Sequence, residues 1–124
     1  MQQPAGLTER DGVPIVELFG DFDLANVAQL ETCLLTAHRQ QSACIIVSLL
    51  HADYFDSSTI HTLVAFGERL VATGRRLLVV GPSSDSGRRI LSIFGLAKRA
   101  PIFETMPDAI ASALTFRRPN DPRG

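Results

Sequence analysis

Cys44-Ile45-Ile46-Val47-Ser48-Leu49-Leu50-His51-Ala52-Asp53-Tyr54-Phe55-Asp56-Ser57-Ser58-Thr59 is the stretch whose reading decides the fold. Its first six residues are nearly all apolar and rich in β-branched side chains. A strand with one wet face alternates apolar and polar residues, so an unbroken run predicts a strand over 44–49 buried on both faces. The polar cluster at the other end has a different meaning. An acid and three small hydroxyl residues are the types that cap the unpaired amides of a helix start. Strand followed directly by helix is the repeating unit of a parallel sheet.

Outward from there the same alternation recurs. Residues 58–72 place Ile60, Leu63, Val64, Leu70 and Val71 on one side of a helix that Gly74 can stop, and 76–81 is a second buried strand. Ser84 or Asp85 can cap a third helix carrying Ile90, Leu91 and Phe94 and closed by Gly95. A short strand over 101–104 follows, and then Thr105-x-x-Asp108 with Pro107 opens a fourth helix ending near Phe116. Upstream, Asp11-Gly12 predicts a hairpin turn between 7–10 and 13–19, with Pro14 implying a strand start or an edge. Residues 25–38 form a helix with Ala28, Leu30, Leu34 and Ala37 as its stripe. The order β-β-α-β-α-β-α-β-α predicts an α/β domain over 1–116: a mostly parallel, helix-covered sheet with an antiparallel edge strand. The tail RRPNDPRG, 117–124, reads as disordered.

The chain's net charge of −1 conceals an asymmetry. Residues 1–68 hold nine acids and two bases, whereas 69–124 hold four acids and ten bases. Separated in space, such halves would orient an encounter with a charged partner; intermingled, they would cancel. Cys33 and Cys44 lie in apolar segments, far from a C-x-x-C spacing, and read as buried free thiols of a reducing compartment, hence a cytoplasmic location. The beginning of the chain lacks a basic stretch before an apolar core, and no apolar run approaches the ~20 residues that span a bilayer.

Signatures of chemistry mostly fail. In Gly81-Pro82-Ser83-Ser84-Asp85-Ser86-Gly87-Arg88 the glycines stand six apart and Arg88 occupies the place of the Lys-Ser/Thr pair of a phosphate loop, so an ordinary strand-to-helix loop is expected. Ser57 and His61 are four apart with Asp56 beside them, but a nucleophile–base set also needs an oxyanion hole, which nothing supplies. His38, His51 and His61 share no metal spacing. Basic pairs at 75/76, 88/89, 98/99 and 117/118 lack interleaved aromatics, which disfavours nucleic acid. The expectation is a binding module without catalysis, metal or cofactor. What survives is the 56–59 cluster, with Ser57 read as the helix cap, at a dipole-positive end where a phosphate would be tolerated.

Three features of the chain resemble the STAS family, the anti-sigma-factor antagonists and their relatives. They are Gly20-Asp21-Phe22-Asp23 after the second strand, Asp56-Ser57-Ser58 at the second helix, and Arg75-Arg76-Leu77-Leu78-Val79-Val80 after Thr73-Gly74. The likeness spans about 7–116. It implies a domain that captures an anti-sigma factor that is also a serine kinase, and so frees a sigma factor. Phosphorylation of Ser57 would break the capture and a phosphatase would restore it. Asp21, Asp23, Asp56, Ser58, Thr59 and His61 are the implied docking residues. Where the family motif usually continues with glycine this chain has Thr59, a β-branched residue expected to add bulk where kinase and partner approach. A STAS-type scaffold or transporter-associated subunit without such a switch is the alternative, and a small-ligand or nucleotide module a third reading.

Overall fold

The computed structural model describes residues 4–116; the tail over 117–124, read as disordered from sequence, lies outside the described residues. Asp11 and Gly12 take φ of 54° and 82°, the pair of positive values that a tight hairpin turn requires. They join β1 (Ala5–Arg10) to β2 (Val13–Phe22) antiparallel. Pro14 is the second residue of β2, and pairing with the next strand begins only at Ile15, so its missing N–H costs no ladder bond on that side.

After β2 come α1 (Val27–His38), β3 (Cys44–Phe55), α2 (Ser57–Ala72), β4 (Arg76–Val80) and α3 (Asp85–Ile93). A 3-10 turn (Leu96–Lys98), β5 (Ile102–Phe103) and α4 (Met106–Thr115) complete the order. The strands stand in the sheet as β1-β2-β3-β4-β5, with only the β1–β2 pair antiparallel. Each crossover therefore steps the same way across the sheet, and crossovers of one hand put their helices on one face. Leu30 and Leu34 of α1, Ile60, Leu63 and Leu70 of α2, and Leu91 of α3 share one core with Val16, Leu18, Ile45, Val47 and Leu77. Among the described residues the other face has a single helix. Ala109, Ile110 and Ala113 of α4 pack there on Val13, Ile15, Cys44, Ile46, Leu78 and Val80. Strand order equals chain order, so β1 and β5 are the two edges of the sheet, and Glu68 of the acid-rich half pairs with Arg99 of the base-rich half at 3.2 Å.

Several expectations need correction. β3 runs to Phe55, six residues past Leu49, because its second half leaves the shelter of β4 yet keeps pairing with β2. Ala28 and Val71, expected in the helical stripes, are exposed, since each stands near a helix end beyond its neighbours; Phe66 and Gly67 are buried instead. Phe94 is also exposed, past the end of α3. Of the two possible caps of α3, Ser84 is the one: its Oγ accepts from the Gly87 amide at 3.1 Å. Arg88 folds back on its own loop, its Nε donating to the Pro82 carbonyl at 3.2 Å and its guanidinium 3.5 Å from Asp85. Thr105 caps α4 as expected, accepting from the Asp108 amide. Both cysteines are free, Cys44 buried and Cys33 partly so.

Arg75 is an unforeseen structural tie. Only 3% exposed, it donates from Nε to the Ser42 carbonyl at 2.7 Å and from Nη1 to His38 Nδ1 at 2.6 Å. A guanidinium has no acceptor atom, so Nδ1 must present its lone pair and the His38 proton sits on Nε2. The end of α1, the loop before β3 and the segment after α2 are thereby joined. Burial, then the charges of Arg75 and Arg69, hold the His38 pKa below its ordinary value of 6.5.

Two outcomes follow. Ile46 is fully buried in the central strand, so Ile46→Ala should cost about 2–5 kcal/mol through lost transfer energy and a residual cavity, read from the urea midpoint. The unfolded chain protonates His38 near pH 6.5 and the folded chain resists it. The stability held in neutral His38 is thus complete above that pH and declines as pH falls below it. Denaturation at pH 7.5 and 5.5 should show that loss, and His38→Asn should flatten it.

Candidate functional site

Parallel pairing carries both candidate motifs to one end of the sheet. Asp21 stands opposite Tyr54 and Phe22 opposite Phe55, and the Asp56 amide donates to the Phe22 carbonyl at 3.0 Å. The acidic turn after β2 and the start of α2 are consequently neighbours, on the carboxyl edge where open α/β sheets gather their sites. The turn is held by its own side chains. Asn26 Oδ1 accepts from the Asp23 amide at 2.9 Å, Asp23 Oδ1 accepts from the Ala25 amide at 2.9 Å, and Asn26 Nδ2 donates to the Asp21 carbonyl at 2.7 Å. Asp21 and Asp23 are left exposed.

At the helix start the structure redistributes the expected roles. Asp56, not Ser57, is the cap: its Oδ1 accepts from Ser58 Oγ at 2.6 Å, from the Thr59 amide at 3.1 Å and from Thr59 Oγ1 at 3.3 Å. These bonds, that from Ser58 foremost, hold the Asp56 carboxyl below its ordinary range despite the opposing effect of desolvation. Thr59 is fully buried, so its methyl adds no bulk at the surface and its hydroxyl is turned to Asp56. An N3 residue points its side chain inward here because the cap draws the hydroxyl under the first turn. Ser58 is partly buried and committed to Asp56. Ser57, at the first helical position, is the exposed hydroxyl of the three.

His61 is exposed one turn further on and sets its ring edge-on to Phe94, centroids 5.6 Å apart. Among the described residues no hydrogen bond joins Ser57 to His61, and the Asp56 carboxylate is occupied by Ser58 and Thr59. Nor do any three His, Cys, Asp or Glu side chains among them lie close enough to share a metal ion. No helix among the described residues is long and apolar enough to cross a membrane.

Sequence reasoning missed the apolar part of this edge. Leu24 is 76% exposed in the acidic turn, and Ile93, 72% exposed, precedes Phe94, whose ring meets that of His61. Large bare apolar side chains beside polar ones are a mark of interaction surfaces. For Leu24 a signal existed: it is a lone leucine in the polar turn Asp21–Asn26. Ile93 and Phe94 had none, because they continue the apolar pattern of α3.

The STAS domain family model matches residues 5–109. In fold the chain is similar to the crystal structure of an anti-sigma factor antagonist from Mycobacterium paratuberculosis, with TM-score 0.81 and 23% identity over 89% of this chain and 92% of that one. It is also similar to the anti-sigma factor antagonist SpoIIAA in its unphosphorylated form, with TM-score 0.70 and 22% identity over 90% of this chain and 99% of that one. A third likeness is to the Bacillus cell fate determinant SpoIIAA in the phosphorylated form, with TM-score 0.67 and 23% identity over 87% and 97% of the two chains. At such identities the likeness is one of fold. No curated protein matches the chain.

Removing the cap tests the local geometry. Asp56→Ala should lower stability by about 0.5–2 kcal/mol, because the Thr59 amide loses its acceptor. Since the folded pKa of Asp56 lies below 3.8, its contribution is present above that pH and fades as pH falls through the depressed value. Acid titration of wild type and Asp56→Ala should therefore converge at low pH.

Proposed function

The chain belongs to the STAS domain family, and on that premise we propose that it is an anti-sigma factor antagonist switched off by phosphorylation of Ser57. It docks through the edge around Ser57 onto an anti-sigma factor that is also a serine kinase, and so regulates transcription indirectly, from the cytoplasm and without catalysis of its own. A serine phosphatase restores the docking form. The observation that carries this reading is the exposure of the Ser57 hydroxyl at the first position of α2, on one edge with Asp21, Asp23 and Leu24. The similarity in fold to a protein solved in phosphorylated and unphosphorylated forms supports it.

The physical consequence of the modification is one-sided. A phosphoserine carries about −1.5 to −2 charges near neutral pH, and the amides and dipole of a helix start accommodate them. The fold is left intact. The surface is not: Asp21, Asp23 and Asp56 already make this edge negative. A partner fitted to a neutral hydroxyl at Ser57 meets like charge and a dianion that must shed its water. Like-charge contact across an interface costs several kcal/mol, and each 1.4 kcal/mol is tenfold in affinity.

Calorimetric titration against the anti-sigma kinase tests the switch. Ser57→Asp should keep native circular dichroism and bind at least tenfold more weakly, while Ser57→Ala should bind and take up no phosphate. Undiminished affinity of Ser57→Asp would refute the switch and leave a scaffold without one. Phosphate uptake lost only in Ser58→Ala would move the site by one residue.

A further inference from the structure

The two faces of the sheet are unequally covered. α1, α2 and α3 fill one, but on the other α4 lies over β4 and only the amino-terminal halves of β2 and β3. Met106, its first residue, borders a concavity of about 290 Å³ shared with Glu9, Arg10, Glu17, Leu50 and His51, in which the two carboxylates outnumber the one guanidinium. Beyond Met106 no helix among the described residues covers the sheet, and what it presents is aromatic: half-buried Phe19 with exposed His51 and Tyr54. Phe19 and His51 are register partners whose rings lie parallel, 11° apart in plane with centroids 5.7 Å apart. On β1, Gly6 adjoins the Phe19 ring; a Cβ there would make an ordinary contact with its edge, at 4.0 Å. Tyr54, opposite Asp21, is 53% exposed. Glu17 and Asp21 flank Phe19 along β2 and alternate with core residues Leu18 and Phe22, so they share its face.

The dimensions of this bare strip are those of a missing element. From β1 to β3 is two strand spacings, about 10 Å, which is the diameter of one helix. A sheet face of this kind is completed by a helix beside the one already there. Carboxylates next to aromatic faces select cations, through charge-assisted hydrogen bonds and cation–π contact. The same β1–β3 flank holds most of the acidic residues, so the field steers a basic segment to this side. We propose that the bare face beside α4 docks an amphipathic helix of a partner protein. The helix sets its apolar side on Phe19, His51 and Tyr54 and its arginine or lysine flank on Glu17 and Asp21. The face lies across the sheet from α2, and this second docking surface does not depend on the Ser57 reading.

The probe is an 18-residue helical peptide with leucines along one face and arginines on its flanks, titrated into the full-length 15N-labelled chain. A counterpart carries glutamate in place of arginine. The arginine peptide should bind saturably and shift the amides of Gly6, Glu17, Phe19 and residues 50–54, leaving those of α2 in place. Phe19→Ala should weaken it at least fivefold. Glu17→Gln, which disturbs no core contact, should weaken it at least threefold and leave binding to the anti-sigma kinase unchanged. Equal binding of the glutamate peptide, shifts centred on the Ser57 edge, or no saturable shift at millimolar peptide would overturn the proposal. So would sedimentation showing a dimer that Phe19→Ala dissolves, since the occupant would then be a second copy.

Discussion

β2 and β3 run parallel from Ile15 opposite Ile46 to Phe22 opposite Phe55, and the rest of the molecule depends on that pairing. It is the longest ladder in the sheet and joins the antiparallel hairpin to the parallel crossovers. Its length matters as much as its direction. Had β3 stopped where its unbroken apolar run stops, the turn after β2 and the start of α2 would not meet. Because pairing continues through two register shifts to Phe55, the Asp56 amide reaches the Phe22 carbonyl and two segments more than thirty residues apart form one edge.

The same edge shows how a helix cap can sort chemically similar side chains. Three hydroxyl residues follow Asp56, and only their positions distinguish them. The carboxylate accepts from Ser58 and from both the amide and the hydroxyl of Thr59, which withdraws those two groups from the surface. Ser57 precedes the cap's reach and remains outside. Selection among the three thus follows from helix geometry, and the threonine in place of a small residue is absorbed without cost to the exposed site.

Covering one face with three helices and the other with one has consequences in both directions. The fully covered face supplies most of the core. The partly covered face leaves a strip where Phe19, His51 and Tyr54 stand with Glu17 and Asp21, and a coverage defect of this sort is a feature of topology, not of local propensity. Arg75 is a counterpart inside the fold. Its Nε bond to the Ser42 carbonyl and its Nη1 bond to His38 fasten the loop before β3 to the end of α1, and its charge adds to burial in lowering the His38 pKa.

Local patterning by itself determined the element order, the hairpin turn, the central strand, a cap for α3 at Ser84 or Asp85, the cap at Thr105 and the presence of a polar helix start at 56–59. Each of these rests on residues adjacent in sequence, where period, β-branching and capping chemistry act directly. Tertiary structure decided what depends on neighbours remote in sequence: that β3 extends to Phe55, that Val71 and Phe94 face water while Phe66 does not, that Arg75 meets His38, and that Ser57 stays exposed while Thr59 is buried.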